Sequence, residues 1–256
     1  MTEQLAPEQP ANPEVLREHP VIVVDIDGVL FDTPQHAVDR WNNAHETNYA
    51  VEDIFDASAK HNKELFRHWH EDGMETDKET GEKFDDGFYG AQKDVANYLL
   101  IPGAREVLSR LKQEYGASLH ALTARNKANL EDVTLTALGE HFGVGEAEEA
   151  LIDELHFSGD PDFIGEASAD KGTILRDILG AHIMVEDSIT NANSAKKAGI
   201  ASFVLDQSYN LPHRRSTDPE KNETWEHDTA PDWNTLYHYI SNSLEAQGFR
   251  KVSGGE

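Results

Sequence analysis

Val21-Ile22-Val23-Val24-Asp25-Ile26-Asp27-Gly28-Val29-Leu30-Phe31-Asp32-Thr33 runs four apolar residues straight into two acids and a glycine. An unbroken apolar run of this length reads as a strand buried on both faces, as in a parallel sheet. Carboxylates at the end of such a strand sit where burial is costly unless they have a partner or a task. Side chains two apart on a strand face the same way, so Asp25 and Asp27 are expected to converge on one point at its C-terminal end. Gly28 lets the backbone turn sharply beside them.

Outward from this strand, apolar segments of strand length alternate with helical patterns. Ala104 to Tyr115 puts Val107, Leu108 and Leu111 on one helical face, Gly116 ends it, and Ser118 to Thr123 follows as a strand. Residues 129–138 read as a helix, 154–158 as a short strand, and 170–179 as a helix with Ile174, Leu175, Ile178 and Leu179 on its apolar face. A strand over 182–185, a helix over 190–198 and a strand over 201–205 come next. Trp233, Leu236, Tyr237, Ile240 and Leu244 form a last amphipathic stripe that reads as core packing. The alternation predicts an α/β fold, a Rossmann-like parallel sheet flanked by helices.

Between residues 34 and 101 the alternation fails, and the segment reads as a mostly helical insertion. Its expected helices cover 35–45, 60–70 and 90–100, joined by a very polar stretch over 71–86 read as a mobile loop. Pro102-Gly103 is the expected return hinge. The division that follows is a disordered tail over 1–19, a core over 20–33 and 102–249, the insertion over 34–101, and a short tail over 250–256. Residues 206–232 show no period and are expected to form a long surface loop.

Among the 256 residues there is no cysteine, which removes disulfides, thiolate metal sites and a thiol nucleophile, and leaves oxygen or imidazole as metal ligands. Asp and Glu outnumber Lys and Arg by 48 to 22, a net charge of -26 that argues against binding nucleic acid polymers or anionic membranes. No apolar stretch approaches the roughly twenty residues needed to cross a bilayer, and the start lacks the pattern of a secretory signal. A cytoplasmic protein acting on small molecules is the expectation.

The Asp25-x-Asp27-Gly28-Val29-Leu30 motif after its apolar strand resembles the first motif of the haloacid dehalogenase-like superfamily, in the form carried by its phosphate-transferring members. Leu119-His120-Ala121-Leu122-Thr123-Ala124-Arg125 is similar to the second motif, an apolar strand ending in a hydroxyl. Lys171, opening a helix capped by Asp170, stands where the third motif has its lysine; a cation in a first helical turn is disfavoured by up to about 1 kcal/mol unless an anion offsets it. His182-Ile183-Met184-Val185-Glu186-Asp187-Ser188, followed by a helix ending Ala198-Gly199-Ile200, is similar to the fourth motif, except that Asn191 stands where many relatives have glycine.

The resemblance implies a core of this superfamily with a helical cap inserted between the first and second motifs. It implies that Asp25 attacks a phosphate monoester to form an aspartyl phosphate and that Asp27 serves as acid and then base. Gly28, Thr123, Ala124 and Lys171 would surround the phosphoryl group. Acids gathered at neighbouring strand ends need a cation, and an all-oxygen set beside a phosphate suits Mg2+. Asp25, the backbone carbonyl of Asp27, and Asp187 would hold it, with Glu186 assisting through water.

For the substrate, Thr123-Ala124-Arg125, the Gln207-x-Tyr209-Asn210 segment and Trp225 resemble the deoxyribonucleotidase-like branch, which points to a nucleoside 5'-monophosphate, with Trp69, Phe88 or Tyr89 as base-stacking aromatics. A sugar-phosphate phosphatase or phosphomutase is the alternative, and a noncatalytic phosphometabolite-binding protein a second. His61, His68 and His70 read as solvated or packed rather than as metal ligands, and His213-Arg214-Arg215 reads as surface.

Overall fold

A computed structural model describes residues 19–54, 74–76, 83–85, 88–94, 97–146, 149–160, 170–211 and 228–252. The helix expected over 60–70 with Trp69 and its histidines, the tail through residue 18, His213-Arg214-Arg215, Trp225, and the side chains of Phe88 and Tyr89 lie outside what is described.

Six parallel strands form the central sheet: β1 (Val21–Val24), β4 (Ser118–Thr123), β5 (Glu154–Phe157), β6 (Ile183–Glu186), β7 (Ala201–Leu205) and β8 (Asp228–Ala230), in the order β5-β4-β1-β6-β7-β8. In register, Ile22 pairs with both Leu119 and Ile183, so the first strand lies at the centre. The chain builds outward from β1 to β5, then crosses back to lay β6 on β1's other side, which makes the β1/β6 boundary the switch point where open sheets of this kind place ligands.

Alternation sends neighbouring strand residues to opposite faces, and both faces are covered. Ile22, Val24, Leu119, Ala121, Ile183 and Val185 pack with the apolar faces of α4 (Ala104–Tyr115), α5 (Lys127–His141) and α8 (Trp233–Ala246). Val23, Leu122 and Met184 face the other way, onto Ile174, Leu175 and Ala195. The last two helical pieces on that side are α6 (Lys171–Thr173), continued by a π-helical turn over Ile174–Ile178, and α7 (Ile189–Lys197).

Several expectations need correction. The helix expected over 170–179 is only one α turn before it widens, with Leu179 N–H donating to Ile174 O at 3.1 Å. The wide turn buries Ile174 and Leu175 but turns Ile178 to solvent, against the regular period. Gly172 allows this segment to press on α7, because a Cβ there would collide with Ser194 O. The loop expected over 206–232 contains β8, too short to show a period, and the polar stretch over 71–86 contains strands β2 (Met74–Thr76) and β3 (Lys83–Asp85), paired antiparallel.

The chain leaves the core through Phe31 and returns beside it: Asp32 N–H donates to Leu99 O at 2.8 Å and Ile101 N–H to Leu30 O at 3.0 Å. Between these points lie α1 (Thr33–His45), α2 (Val51–Ile54) and α3 (Phe88–Lys93), the last in place of the helix expected over 90–100. Asp32 caps α1, accepting from Gln35 N–H at 3.2 Å, and Pro34 suits its first turn. Ala37, Val38, Trp41, Val51 and Ala91 form a small separate core that Tyr209, from beyond β7, completes. Among the described residues no helix is long and apolar enough to cross a membrane.

Candidate active site

Strand ends at the switch point carry the acids. Asp25 follows the last residue of β1, and its N–H extends the ladder to Val185 O at 3.0 Å. Glu186 ends β6, Asp187 follows, and Ser188 leads into α7. Adjacency of β1 and β6 therefore brings Asp25, Glu186 and Asp187 together, with one carboxylate oxygen of each within 4.8 Å of the others and all three side chains buried. Lys171 Nζ lies between two of them, 2.7 Å from Asp25 Oδ1 and 2.6 Å from Glu186 Oε1. Its first-turn position is thus offset by carboxylates of the core itself.

Fully ionised, three acids against one ammonium leave the cluster two charges short of neutral. Burial first, and then the charge of Glu186, pushes the Asp25 carboxyl from its ordinary 3.8 to about 7, although Lys171 pulls it down. Burial, Glu186 and Asp25 hold Asp187 well above the carboxylate range. Burial would lower Lys171, but Asp25 and Glu186 overcome it and raise its pKa, so it stays charged. A buried all-oxygen donor set with a deficit of two positive charges fits a hard divalent cation.

Asp27 takes a different partner from the one expected. The strand stops at Val24, and the following backbone folds so that Leu30 and Phe31 N–H both donate to Ile26 O, at 3.0 and 3.1 Å. Strand alternation does not carry through this turn, and the Asp27 carboxylate leaves the cluster of the other three. Arg125 grips it with two hydrogen bonds, Nη2 to Oδ1 at 2.6 Å and Nε to Oδ2 at 3.0 Å. Gln92, on α3 of the insertion, donates to Oδ2 at 2.9 Å. Burial pushes Asp27 up, but the Arg125 guanidinium outweighs it and holds the carboxyl below its usual range.

Arg125 itself is buried, with Nη1 on Thr134 Oγ1 at 3.0 Å and its guanidinium over the Tyr98 ring. Thr123, buried at the end of β4, accepts from Arg125 N–H at 3.1 Å through Oγ1, and Ala124 lies between them. The roles of Arg125 and Gln92 were missed in the sequence; an arginine directly beyond a strand-end Thr-Ala was the available signal for the first.

Residues after β7 hold the acids in place. Tyr209 Oη donates to Asp187 Oδ2, and Asn210 Nδ2 donates to Asp187 O at 3.0 Å and Leu205 O at 2.9 Å. Gln207 Nε2 donates to Gly28 O at 2.7 Å. Gly28, with φ of +75°, leaves no room for a side chain: a Cβ would strike Asp187 Oδ2 and Tyr209 Oη. Gly28→Ala should therefore cost about 1 kcal/mol or more, read from the urea midpoint, because both the backbone angle and the collision oppose it. An unchanged midpoint would contradict this packing.

A family model described as haloacid dehalogenase-like hydrolase matches residues 19–199. No curated protein matches the chain significantly. Among solved structures, a conserved haloacid dehalogenase-like protein of unknown function from Agrobacterium tumefaciens str. C58 aligns with 88% of this chain and 98% of its own, at 17% identity and a TM-score of 0.56. A HAD family hydrolase from Deinococcus radiodurans R1, with bound phosphate and sodium, aligns with 88% of this chain and 96% of its own, at 13% identity and a TM-score of 0.54. A putative beta-phosphoglucomutase from Thermotoga maritima aligns with 87% of this chain and 99% of its own, at 17% identity and a TM-score of 0.50. At these identities the likeness is one of fold.

Proposed function

Because the chain belongs to the haloacid dehalogenase-like hydrolases, matched over residues 19–199, we propose that it hydrolyses phosphate monoesters through an aspartyl phosphate on Asp25. One observation carries the reading: Asp25 sits in the strand-end cluster with Glu186, Asp187 and Lys171, whereas the Asp27 carboxylate, two residues on, is held outside it by Arg125 and Gln92.

Asp25 would attack phosphorus as the bond to the leaving oxygen breaks, and Asp27 would give that oxygen its proton. Water would then attack the aspartyl phosphate, its proton passing to Asp27 as inorganic phosphate leaves Asp25. Held by Arg125, Asp27 is a carboxylate, the form the second step requires; to protonate the leaving oxygen in the first step it must part from Arg125 and take up a proton from solvent. Thr123 Oγ1, the backbone near Ala124 and Gly28, and Lys171 would meet the phosphoryl oxygens. Asp25, Glu186 and Asp187 would hold Mg2+, joined by the Asp27 carbonyl, and the ion supplies charge neutralisation on the transferring group.

A nucleoside 5'-monophosphate is the substrate we favour, on the resemblance of Thr123-Ala124-Arg125 and Gln207-x-Tyr209-Asn210 to the deoxyribonucleotidase-like branch. A panel of nucleoside monophosphates and phosphosugars, assayed with and without Mg2+, tests both levels. Release of inorganic phosphate supports the hydrolase, a preference for nucleotides supports the substrate, and isomerised phosphosugar would replace the reading with a mutase. Failure to turn over any ester with Mg2+ would refute the proposed activity.

The cation also predicts a pH dependence. Asp25 and Asp187 have raised pKa values in the folded chain, so their contribution to stability is full below the ordinary 3.8 and is lost as pH rises through the folded values, about 7 for Asp25. His120 and His156 act oppositely, since burial lowers both, His156 to about 4, and this contribution is lost as pH falls. The readout is therefore the difference made by Mg2+: the rise in Tm on adding it should grow from about pH 5 to about pH 8, as protons stop competing for the carboxylates. A rise independent of pH would count against the carboxylate cluster as the binding site.

A further inference from the structure

At the far edge of the sheet, on the face opposite the larger core, four polar side chains of β4 and β5 gather where parallel strands usually bury apolar ones. Ser118 and His120 share a face of β4, Glu154 and His156 the matching face of β5, and the register sets His120 beside Glu154 and Leu122 beside His156. We propose that His120 Nδ1, His156 Nε2 and Glu154 Oε2 form a second cation site, for a divalent transition metal such as Zn2+, that clamps the edge strand β5 to β4.

Geometry carries this assignment. The imidazole nitrogens are 3.0 Å apart, and Glu154 Oε2 lies 3.3 Å from His156 Nε2 and 4.0 Å from His120 Nδ1. Donors around a tetrahedral zinc with bonds of about 2.0–2.1 Å stand about 3.3 Å from one another, so the three atoms already bracket the required triangle. All of them lie within 4.8 Å of one another.

Proton placement points the same way. His120 Nε2 is 2.9 Å from Ser118 Oγ, which donates to Asp153 Oδ2 at 3.3 Å. Asp153 is fixed in turn by Leu119 N–H at 2.7 Å and Lys112 Nζ at 2.6 Å. With the Ser118 proton directed to Asp153, His120 Nε2 gives its own to Ser118, and Nδ1 presents a lone pair to His156. A single proton on His156 Nε2 then serves both that lone pair and the Glu154 carboxylate. A divalent cation in its place satisfies all three donors at once. Ser118 supplies the outer hydrogen bond that orients a metal-binding imidazole, with Asp153 behind it.

Two nitrogens and one carboxylate oxygen suit zinc, nickel or copper rather than magnesium, which sets this site apart from the oxygen-only cluster at the switch point. It lies three residues before Thr123 on β4, about 10 Å along the strand. Three protein ligands leave a fourth position to water or another ligand.

Titration of the full-length protein with Zn2+, in the presence of excess Mg2+ to occupy the carboxylate cluster, tests the proposal by calorimetry. The wild type should bind one equivalent tightly, and His156→Ala or His120→Ala should abolish that equivalent. Ser118→Ala should weaken it about 10- to 100-fold. Glu154 is 61% exposed, so Glu154→Gln keeps the fold and should still weaken zinc binding. Asp187→Asn should leave it intact. No tight zinc in the wild type, or binding as tight as the wild type's in Glu154→Gln and His156→Ala, would overturn the assignment.

Discussion

Asp25→Asn should abolish turnover of every phosphate ester, lowering kcat by about 10⁴-fold or more, the scale on which an enzyme loses its nucleophile. The amide keeps the shape of the side chain and an oxygen for Lys171 at the same place. It also removes one of three buried negative charges, so without Mg2+ the thermal midpoint should hold or rise. That combination separates a lost nucleophile from a damaged fold. Asp27→Asn should behave differently, with its largest losses on esters whose leaving oxygen most needs a proton and smaller ones on an activated aryl phosphate. Steady-state assays of both variants on both kinds of ester check the division of labour, and retained turnover in Asp25→Asn would end the proposed mechanism.

Lys171→Met carries the second large expectation. Lys171 is buried and contacts Asp25 and Glu186 at 2.7 and 2.6 Å. Removing the one ammonium from three buried acids leaves them uncompensated, a loss of about 3–5 kcal/mol when a buried pair is broken from one side. Urea unfolding at neutral pH should show that loss, and Mg2+ should restore part of it by supplying positive charge to the same acids. A midpoint equal to the wild type would mean that Lys171 is not the internal counter-charge of the cluster.

What could be read in the residues was what local pattern encodes. Four apolar residues before Asp25, and Met184-Val185 before Glu186 and Asp187, mark buried strands whose ends must lie at one rim of a parallel sheet, and all three acids meet there. Lys171 was legible as a cation out of place in a first helical turn, though not that carboxylates of the core would offset it. Asp27 was misdirected because strand alternation was carried past Val24 into a turn organised around Ile26 O. Its partner Arg125 lies 98 residues along the chain, a separation over which no local periodicity informs. Strands β2, β3 and β8 are three residues each, too short for an alternating pattern to rise above polar surroundings. The widened turn after Lys171 was hidden because its apolar spacing mimics a regular helix.

Tyr209 belongs to two structures at once: its ring completes the small core of the insertion, and its hydroxyl donates to Asp187. Thermodynamic reciprocity gives this double membership a consequence. Whatever energy ion uptake at Asp187 adds to or subtracts from the docking of the insertion, docking must return in equal measure to ion affinity. An ester that draws the inserted helices over the rim would thereby tune the grip on the ion, without touching any of its ligands.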